Sequence, residues 1–293
     1  MKKYWIILST LVLFAFASCQ KFAGNPVTKE FSISGTYTEL DVEDAFDVYV
    51  DTAATVVTIT AGEHVMPNVV VEIKQNTLKI YLSGWHTNRG ADMTVILPYN
   101  ADLKDVDLSG ASEFHSEFGL VGRKVNVELS GASEFYCDLD ADEVDIDLSG
   151  ASDFAGDVLA DKIDMDLAGA SSIKGDVMAH ELDIDLSGSS NATLEGEVGL
   201  LKMDLAGASD IKKTVNGSRY GLTCDRCEGS MAGASNAYIH CDGVIRVSLS
   251  GSSDLHYTGT AATSECSMSG ASGIYHDILQ TLKPLGVSLI DII

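Results

Sequence analysis

Apolar and polar residues alternate in short runs along most of the chain, and in its second half each run ends at a recurring glycine. Leucine or methionine stands two residues before that glycine, and aspartate, glutamate or serine stands three before it. Side chains alternate between the two faces of a strand, so this pattern predicts a strand with one apolar face. The glycine opens a Gly-Ala/Ser-Ser tripeptide nine times, at Gly110, Gly131, Gly150, Gly169, Gly188, Gly207, Gly233, Gly251 and Gly270.

The nine glycines are spaced by 21, 19, 19, 19, 19, 26, 18 and 19 residues, which marks a repeat protein. The small residues after each glycine indicate a sharp turn, in which the serine hydroxyl can bond freed backbone groups. In most copies an apolar residue follows two places after the serine, as at Phe154, and predicts a second strand. We therefore predict an all-β fold, a parallel β-helix-like solenoid whose coils of about 19 residues stack at ~4.8 Å. A β-propeller is the alternative, but its blades need roughly twice this period.

The pattern divides the chain into five segments. We expect a lipoprotein signal peptide at 1–18, a polar tether at 19–34, an N-terminal β region of the solenoid at 35–100, a nine-repeat β-solenoid at 101–276 and a C-terminal cap or tail at 277–293. The 26-residue interval contains an insertion, residues 214–221, which we expect to loop out of the stack. Apolar residues in the last segment are expected to cover the open end of the last coil.

The N-terminus has the order of a secretory signal. Lys2 and Lys3 precede an apolar run that is short for an uncleaved membrane anchor, and small residues follow before Cys19. This arrangement looks like the lipobox of bacterial lipoproteins, in which the cysteine is lipidated after cleavage. We expect lipidation at Cys19 to hold the protein on a membrane. The expected location is the cell envelope, as an outer-membrane lipoprotein that faces the periplasm or the cell surface.

The charge is strongly negative. The sequence has 43 acidic and 19 basic residues, a formal net charge of −24. This balance disfavours nucleic acid and anionic membrane surfaces as partners, and it is compatible with cationic partners or bound metal ions. The expected partners are the membrane, through the lipid at Cys19, and a surface ligand that is a glycan or a protein.

Six acidic residues lie at one position of the repeat, three residues before the glycine. Successive coils would stack these side chains, which we call the acidic ladder: Asp107, Glu128, Asp147, Asp166, Asp185 and Asp204. Like charges across a strand pair repel, so the five aspartates Asp107, Asp147, Asp166, Asp185 and Asp204 are candidate ligands for Ca²⁺, which prefers carboxylate oxygens. The other interpretation is a solvated face that keeps an exposed β surface soluble. No Asp-x-Asp-x-Asp-Gly loop occurs in the sequence, so we favour the solvated face and predict no metal site.

Five cysteines follow Cys19, at Cys137, Cys224, Cys227, Cys241 and Cys266. Cys224 and Cys227 have the Cys-x-x-Cys spacing of redox and metal sites. A zinc site would need a second pair, and a thioredoxin-like site would need a βαβ context that the sequence does not show. Cys227 and Cys266 fall on apolar positions, which indicates buried free thiols. A disulfide that involves Cys224, with Cys227 as candidate partner, is the alternative in an oxidising compartment.

Catalytic signatures are absent from the sequence. The seven histidines are scattered without recurrent pairing, and no Gly-x-Ser-x-Gly elbow, phosphate loop or dinucleotide fingerprint occurs. Many β-helices act on polysaccharides, but a lyase for acidic sugars needs cationic side chains to offset the substrate carboxylate. The nearest approach to such a cluster is Lys174, Lys212, Lys213, Arg219 and Arg226. We predict a protein that is not an enzyme and that has no cofactor or catalytic residue.

Residues 38–275 resemble the family of secreted bacterial proteins called "putative auto-transporter adhesin, head GIN domain". The resemblance rests on Phe46-Asp-Val-Tyr-Val50, Gly62-Glu63, Asn76-Thr-Leu-Lys-Ile80, Leu97-Pro98 and the Val106-Asp-Leu-Ser-Gly-Ala-Ser112 repeats, in this order. It implies a β-helix-like fold, a cell-envelope location and no established catalytic residue.

Three functional hypotheses follow. The first is a non-catalytic, lipid-anchored module that presents a rigid β-solenoid for adhesion or ligand binding. The second is a β-helical enzyme that acts on polysaccharides through an unrecognised carboxylate site. The third is a Ca²⁺-binding stalk that uses the acidic ladder.

Overall fold

The repeats form a parallel β-solenoid, which confirms the predicted all-β fold class. The computed structural model describes residues 24–84, 92–217 and 219–278. These ranges contain 24 strands, one short 3-10 turn at Met66–Asn68 and no α-helix. Cys19, the predicted signal peptide and residues 279–293 of the predicted cap lie outside the described residues.

Seven strands precede the repeats: β1 Pro26–Phe31, β2 Glu39–Val42, β3 Phe46–Asp51, β4 Val57–Gly62, β5 Val69–Lys74, β6 Thr77–Leu82 and β7 Met93–Pro98. The repeats begin with β8 Asp105–Leu108, β9 Glu113–His115, β10 Leu120–Leu129, β11 Glu134–Tyr136, β12 Leu139–Leu148, β13 Asp153–Ala155, β14 Val158–Leu167, β15 Ser172–Leu186 and β16 Asn191–Leu205. They continue with β17 Asp210–Ile211, β18 Val215–Asn216, β19 Arg219–Tyr220, β20 Leu222–Met231, β21 Asn236–Leu249, β22 Asp254–Thr258, β23 Ser267–Met268 and β24 Gly273–His276.

One coil has three faces, separated by runs of residues that are not buried. In the coil that starts at Ile163, face one is 163–167, face two is 172–174 and face three is 177–179. The corner at 161–162 precedes face one, the corner at 168–170 joins faces one and two, and the corner at 175–176 joins faces two and three. Along each face buried and solvent-facing residues alternate, as the sequence pattern predicts. Strands of successive coils pair in parallel, so Leu167 lies between Leu148 below and Leu186 above, counting upward from the N-terminal end. All three leucines are buried in one continuous core.

The corner between faces one and two explains the Gly-Ala/Ser-Ser signature. Gly169 has φ +84°, and the backbone N–H of Ala170 donates to the Gly150 carbonyl at 2.8 Å. A Cβ on Gly169 would lie 2.4 Å from that carbonyl oxygen, so only glycine fits. Ser171 is fully buried, and its hydroxyl donates to the Ala168 carbonyl at 2.9 Å. The same hydrogen bond is made by every repeat serine from Ser112 to Ser272, which confirms that the serine hydroxyl bonds a backbone group freed by the turn.

The solenoid has one more coil than the glycine count indicates. β2 and β3 pair in parallel with β8 and β9, and the corner between them is Asp44 with φ +78°. Ala111 donates to the Asp44 carbonyl as the alanines of higher coils donate to glycine carbonyls. Asp44 tolerates this conformation because aspartate reaches the left-handed region more easily than most residues.

The N-terminal end of the solenoid is closed by antiparallel strands. β6 and β7 pair in parallel with β2 and β3, while β5 pairs antiparallel with β6 and β4 pairs antiparallel with β7. β1 adds antiparallel to β4. Residues 26–31, which we expected within the tether, are therefore part of the sheet. They pair with a strand edge at the end of the rod, which would otherwise offer unpaired backbone groups.

The insertion lies outside the main sheet, as expected. β18 and β19 form a separate antiparallel hairpin. Its second strand brings Tyr220 back into the protein, where the side chain is fully buried and stands edge-on to Tyr238, with ring centroids 5.5 Å apart.

Candidate binding surfaces of the solenoid

The acidic ladder forms one straight column on the outside of face one. Each member is the register partner of the next, from Asp107 through Glu128 up to Asp204. The column continues below to Asp41, which pairs with Asp107 and forms an ion pair with Lys79. Above Asp204 it changes to Ser230, whose hydroxyl donates to Asp204 at 2.5 Å. The predicted stacking of the six acidic residues is therefore observed, and the sequence missed only its lowest member.

The ladder lines a shallow groove of about 790 Å³ along the rod. Leucines such as Leu167 and small corner residues such as Ala168 form its other side. The groove is open along its length, so it offers a linear surface and not an enclosed pocket.

The pKa values of several ladder carboxyls are raised. Partial withdrawal from water in the groove is the main cause, and repulsion from neighbouring carboxylates adds to it for Asp107, Asp147 and Asp166. The pKa of Asp185 is raised to about 6, first by burial and then by Asp166, Asp204 and other nearby aspartates. Asp185 therefore binds a proton at a mildly acidic pH at which an isolated aspartate has lost it.

The cations of face one lie beside the ladder and neutralise a different set of acids. Lys124 contacts Asp145 at 2.5 Å and Glu143 at 3.0 Å, and Lys202 contacts Glu181 at 2.8 Å. Across residues 24–84, 92–217 and 219–278, no lysine or arginine forms an ion pair with the six ladder residues. In the same ranges no three side chains converge as a metal-binding group. The ladder residues are thus aligned but do not form a cage.

We predict that neutralising Asp185 stabilises the fold at neutral pH. A folded-state pKa above the unfolded value adds stability below about pH 4, and this contribution is lost as the pH rises through about 6. At pH 7.5 and low salt, Asp185→Asn should raise stability by roughly 0.2–1 kcal/mol per relieved pair, and by less at pH 5. Thermal unfolding at both pH values, in chelator and with millimolar Ca²⁺ or Mg²⁺, measures this.

The matched control for that prediction is Asp140→Asn, because the register partners of Asp140 are the uncharged Val121 and Leu159. It should change the melting temperature little at either pH. A lower melting temperature for Asp185→Asn than for the wild type in chelator would contradict the repulsion argument. If Ca²⁺ alone raises the melting temperature of the wild type, and Asp185→Asn reduces that rise, the result would instead favour cation binding by the ladder.

Face two carries a column of aromatic rings that the sequence reading missed. Tyr49, His115 and Tyr136 stack on one another with centroids 4.8 and 4.6 Å apart and planes within 9°. Higher on the same face Tyr238 and His256 stack at 4.7 Å, and His256 and Tyr275 stack at 4.8 Å. We call these six residues the aromatic column. Of its members, Tyr49, Tyr136 and Tyr275 are 38–46% exposed.

The aromatic column corrects the view that the histidines are scattered. His115 and His256 both stand five residues after a repeat glycine, at the position that Tyr136, Tyr238 and Tyr275 occupy in other coils. Acids of the same face bond the polar edges of the rings. His115 Nε2 lies 3.0 Å from Glu113. The Tyr136 hydroxyl donates to Glu134, and this bond is the main reason that the pKa of Tyr136 is raised to about 12. Extending the repeat alignment beyond the serine would have revealed this column.

A polar cluster joins the insertion to the upper end of the aromatic column. The Tyr220 hydroxyl donates to Asp277, whose other contact is His256 Nδ1 at 3.0 Å. The Lys213 ammonium lies 5.4 Å from the Tyr220 ring centroid and 5.8 Å from that of Tyr238. These contacts hold the hairpin against the last coils.

Three of the five cations considered for a lyase form ion pairs with acids. Lys212 pairs with Asp210 at 2.9 Å, Arg219 with Glu197 at 3.5 Å and Arg226 with Glu228 at 4.0 Å. The positive charge of each of these three is therefore offset by a neighbouring carboxylate.

The described cysteines are all free thiols. Cys227 is fully buried, as expected, and Cys266 is partly buried against the core. The candidate pairing of Cys224 with Cys227 is not formed. The register partner of Cys224 is Cys241 of the next coil, a neighbour that the Cys-x-x-Cys spacing does not indicate.

Comparison with solved structures shows that other bacterial proteins share this fold. One solved structure is a "putative adhesin" from Parabacteroides merdae, with TM-score 0.64, 16% identity, and coverage of 87% of this chain and 98% of that one. Another "putative adhesin", from Parabacteroides distasonis, has TM-score 0.61 and 17% identity, and covers 86% and 97%. A "putative lipid binding protein" from Parabacteroides distasonis has TM-score 0.59 and 20% identity, and covers 87% and 97%. At these identities the likeness shows the fold alone.

A search of curated proteins finds no similar sequence. The sequence profile of the family described as "putative auto-transporter adhesin, head GIN domain" matches residues 36–176 and 153–261, which together cover most of the chain. The chain therefore belongs to the putative auto-transporter adhesin, head GIN domain family.

Proposed function

We propose that this protein is a non-catalytic, lipid-anchored protein of the cell envelope that presents its β-solenoid for adhesion to a glycan or protein. The observation that carries the proposal is the aromatic column on face two. Three of its tyrosines, Tyr49, Tyr136 and Tyr275, are exposed on the outside of a regular stack of coils that fixes their spacing. Aromatic side chains of this kind dominate the binding energy of many interfaces.

The binding part of the proposal is tested with a panel of envelope and host glycans and matrix proteins. Tyr136→Ala should weaken binding of the captured ligand at least about 10-fold, as expected for an aromatic hot spot. The control is Met178→Ala, which removes a side chain 60% exposed on face three. Binding that depends on Met178 and not on Tyr136 would contradict the assignment of the surface.

The anchor part of the proposal rests on the order of residues around Cys19. Among the described residues, no helix is long and apolar enough to cross a bilayer. We expect wild-type protein to incorporate a fatty-acid probe and to sediment with membranes, and Cys19→Ser to lose both properties. Ala17→Gly, which keeps a small residue before the cysteine, is the control. Unchanged membrane retention of Cys19→Ser would refute the lipoprotein assignment.

One observation favours a second candidate, a polysaccharide-active enzyme. The pKa of Asp185 is about 6, and Asp166 and Asp204 lie one coil away on either side, at a strand spacing of about 4.8 Å. Glycosidases use a proton-bearing carboxyl at a comparable distance from a second carboxylate. Release of reducing ends from any glycan of the panel, abolished in Asp185→Asn, would favour this candidate over a non-catalytic adhesin.

A further inference from the structure

Two buried cysteines face each other in neighbouring coils directly above the insertion. Cys224 lies on β20 and Cys241 on β21, and the two residues are partners in the parallel register. They are 2% and 0% exposed. In lower coils the same inward position holds Ala160, Ala179 and Val198, which have no reactive atom. The cysteines therefore place two thiols together where the repeat otherwise places small aliphatic groups.

We propose that Cys224 and Cys241 form a disulfide that cross-links these two coils. Neighbouring strands lie about 4.7–4.9 Å apart, which is inside the range of about 4.4–6.8 Å between the Cα atoms of bonded cysteines. The register of β20 and β21 shifts between Cys224 and Arg226, immediately after the pair. This irregularity leaves the strands free to adjust locally, whereas a regular ladder would fix both Cβ positions.

The two thiols affect each other in the reduced protein. The Cys241 thiol and burial raise the pKa of Cys224, whereas the Cys224 thiol and the Gly243 backbone N–H, against the effect of burial, lower the pKa of Cys241. Cys241 also lies 3.6 Å from the Asp225 carbonyl. In disulfide exchange the thiolate attacks, and once the coils are open either cysteine can attack first with the same balance of bonds.

The oxidant is a small-molecule or protein disulfide. When Cys241 is first, its thiolate attacks one sulfur of that disulfide, forms a mixed disulfide and releases the first thiol. Cys224, after losing its proton, attacks the Cys241 sulfur and releases the second thiol. Two protein thiols are oxidised to one disulfide, and one external disulfide is reduced to two thiols. Since both sulfurs are buried after folding, the exchange takes place while these coils are open.

Cys227 is the competing partner in the sequence, but its position disfavours it. It follows the corner at Asp225 and Arg226, its register partner is Ile245, and burial raises the pKa of its thiol. A disulfide between Cys224 and Cys227 would have to cross that corner, whereas Cys224 and Cys241 lie side by side in the sheet. The in-register pair is therefore the pair that exchange closes.

The experiment refolds the full-length chain in detergent with oxidised glutathione, blocks free thiols with iodoacetamide in denaturant and digests with trypsin without reduction. Cleavage after Arg219, Arg226 and Arg246 separates Cys224, in peptide 220–226, from Cys227 and Cys241, in peptide 227–246. We expect these two peptides to be linked in the wild type and in Cys227→Ser. They should be separate in Cys241→Val, which keeps an apolar side chain in the core.

Melting temperatures give a second measurement on the same samples. A cross-link that closes a loop of this size should make the oxidised wild type melt roughly 5–10 °C higher than the reduced protein. Cys227→Ser should keep that difference, and Cys241→Val should not show it. Fully alkylated peptides from the refolded wild type would overturn the proposal. Loss of the link in Cys227→Ser would overturn it in favour of the Cys-x-x-Cys pair.

Discussion

Replacing Gly169 by alanine should destabilise the solenoid by about 2–5 kcal/mol. The left-handed conformation of this corner costs a non-glycine residue roughly 1–2 kcal/mol, and forcing an extra carbon into a packed site adds about 1–3 kcal/mol. Here the added Cβ would lie 2.4 Å from the Gly150 carbonyl oxygen, which is backbone and cannot rotate away. The hydrogen bond from Ala170 to that carbonyl would be strained as well. Urea unfolding of the wild type and the variant measures the change.

The control for Gly169→Ala is Gly217→Ala at the tip of the insertion hairpin. Gly217 also has positive φ, at +65°, but nothing lies within 4 Å of where its Cβ would be. This variant should show only the conformational cost, so the difference between the two variants isolates the close contact between coils. Equal losses for both variants would show that the stacked corners do not touch as the structure indicates.

The second large effect is expected for Leu167→Ala, at a loss of about 2–5 kcal/mol. Leu167 is 1% exposed and lies between Leu148 and Leu186, so the neighbouring coils cannot close the cavity without breaking their own register. Chemical unfolding followed by circular dichroism measures the loss.

Leu159→Ala is the matched control for Leu167→Ala. It makes the same chemical change on face three, where Leu159 is 47% exposed. A surface change of this kind should alter stability by less than about 0.5 kcal/mol. A small effect at Leu167 together with a large one at Leu159 would mean that the assignment of inner and outer positions is reversed.

The sequence predicted the parts of the fold that repeat with identical residues. Glycine, serine and leucine recur at fixed positions because the corner and the core each accept few side chains, so periodicity alone identified the coil and the acidic ladder. The region around Asp44 was expected within the solenoid but not recognised as a coil of the same kind, because two of its defining positions differ. Asp44 replaces the glycine, and Phe46 replaces the serine, yet the backbone bond from Ala111 is the same.

Surface features were harder to predict because many residue types are accepted there. The aromatic column is interrupted between Tyr136 and Tyr238, so this position of the repeat has no single residue type. The interrupting residues are Ala155, Lys174, Thr193 and Lys212. The neighbour of Cys224 was missed for a different reason. Cys227 is close in sequence, but Cys241 is close in space, because an interval of one coil brings residues 17 positions apart into register.

The constant register of the coils has a consequence for how the length of this molecule can change. Most coils contact their neighbours through the same backbone pattern, and the irregular intervals fall in the insertion or at corners, such as the one where the register of β20 and β21 shifts. Duplication or deletion of one 19-residue unit would keep every inner column continuous and change the height by about 4.8 Å. The height of the solenoid is therefore adjustable in discrete steps, without redesign of its interior.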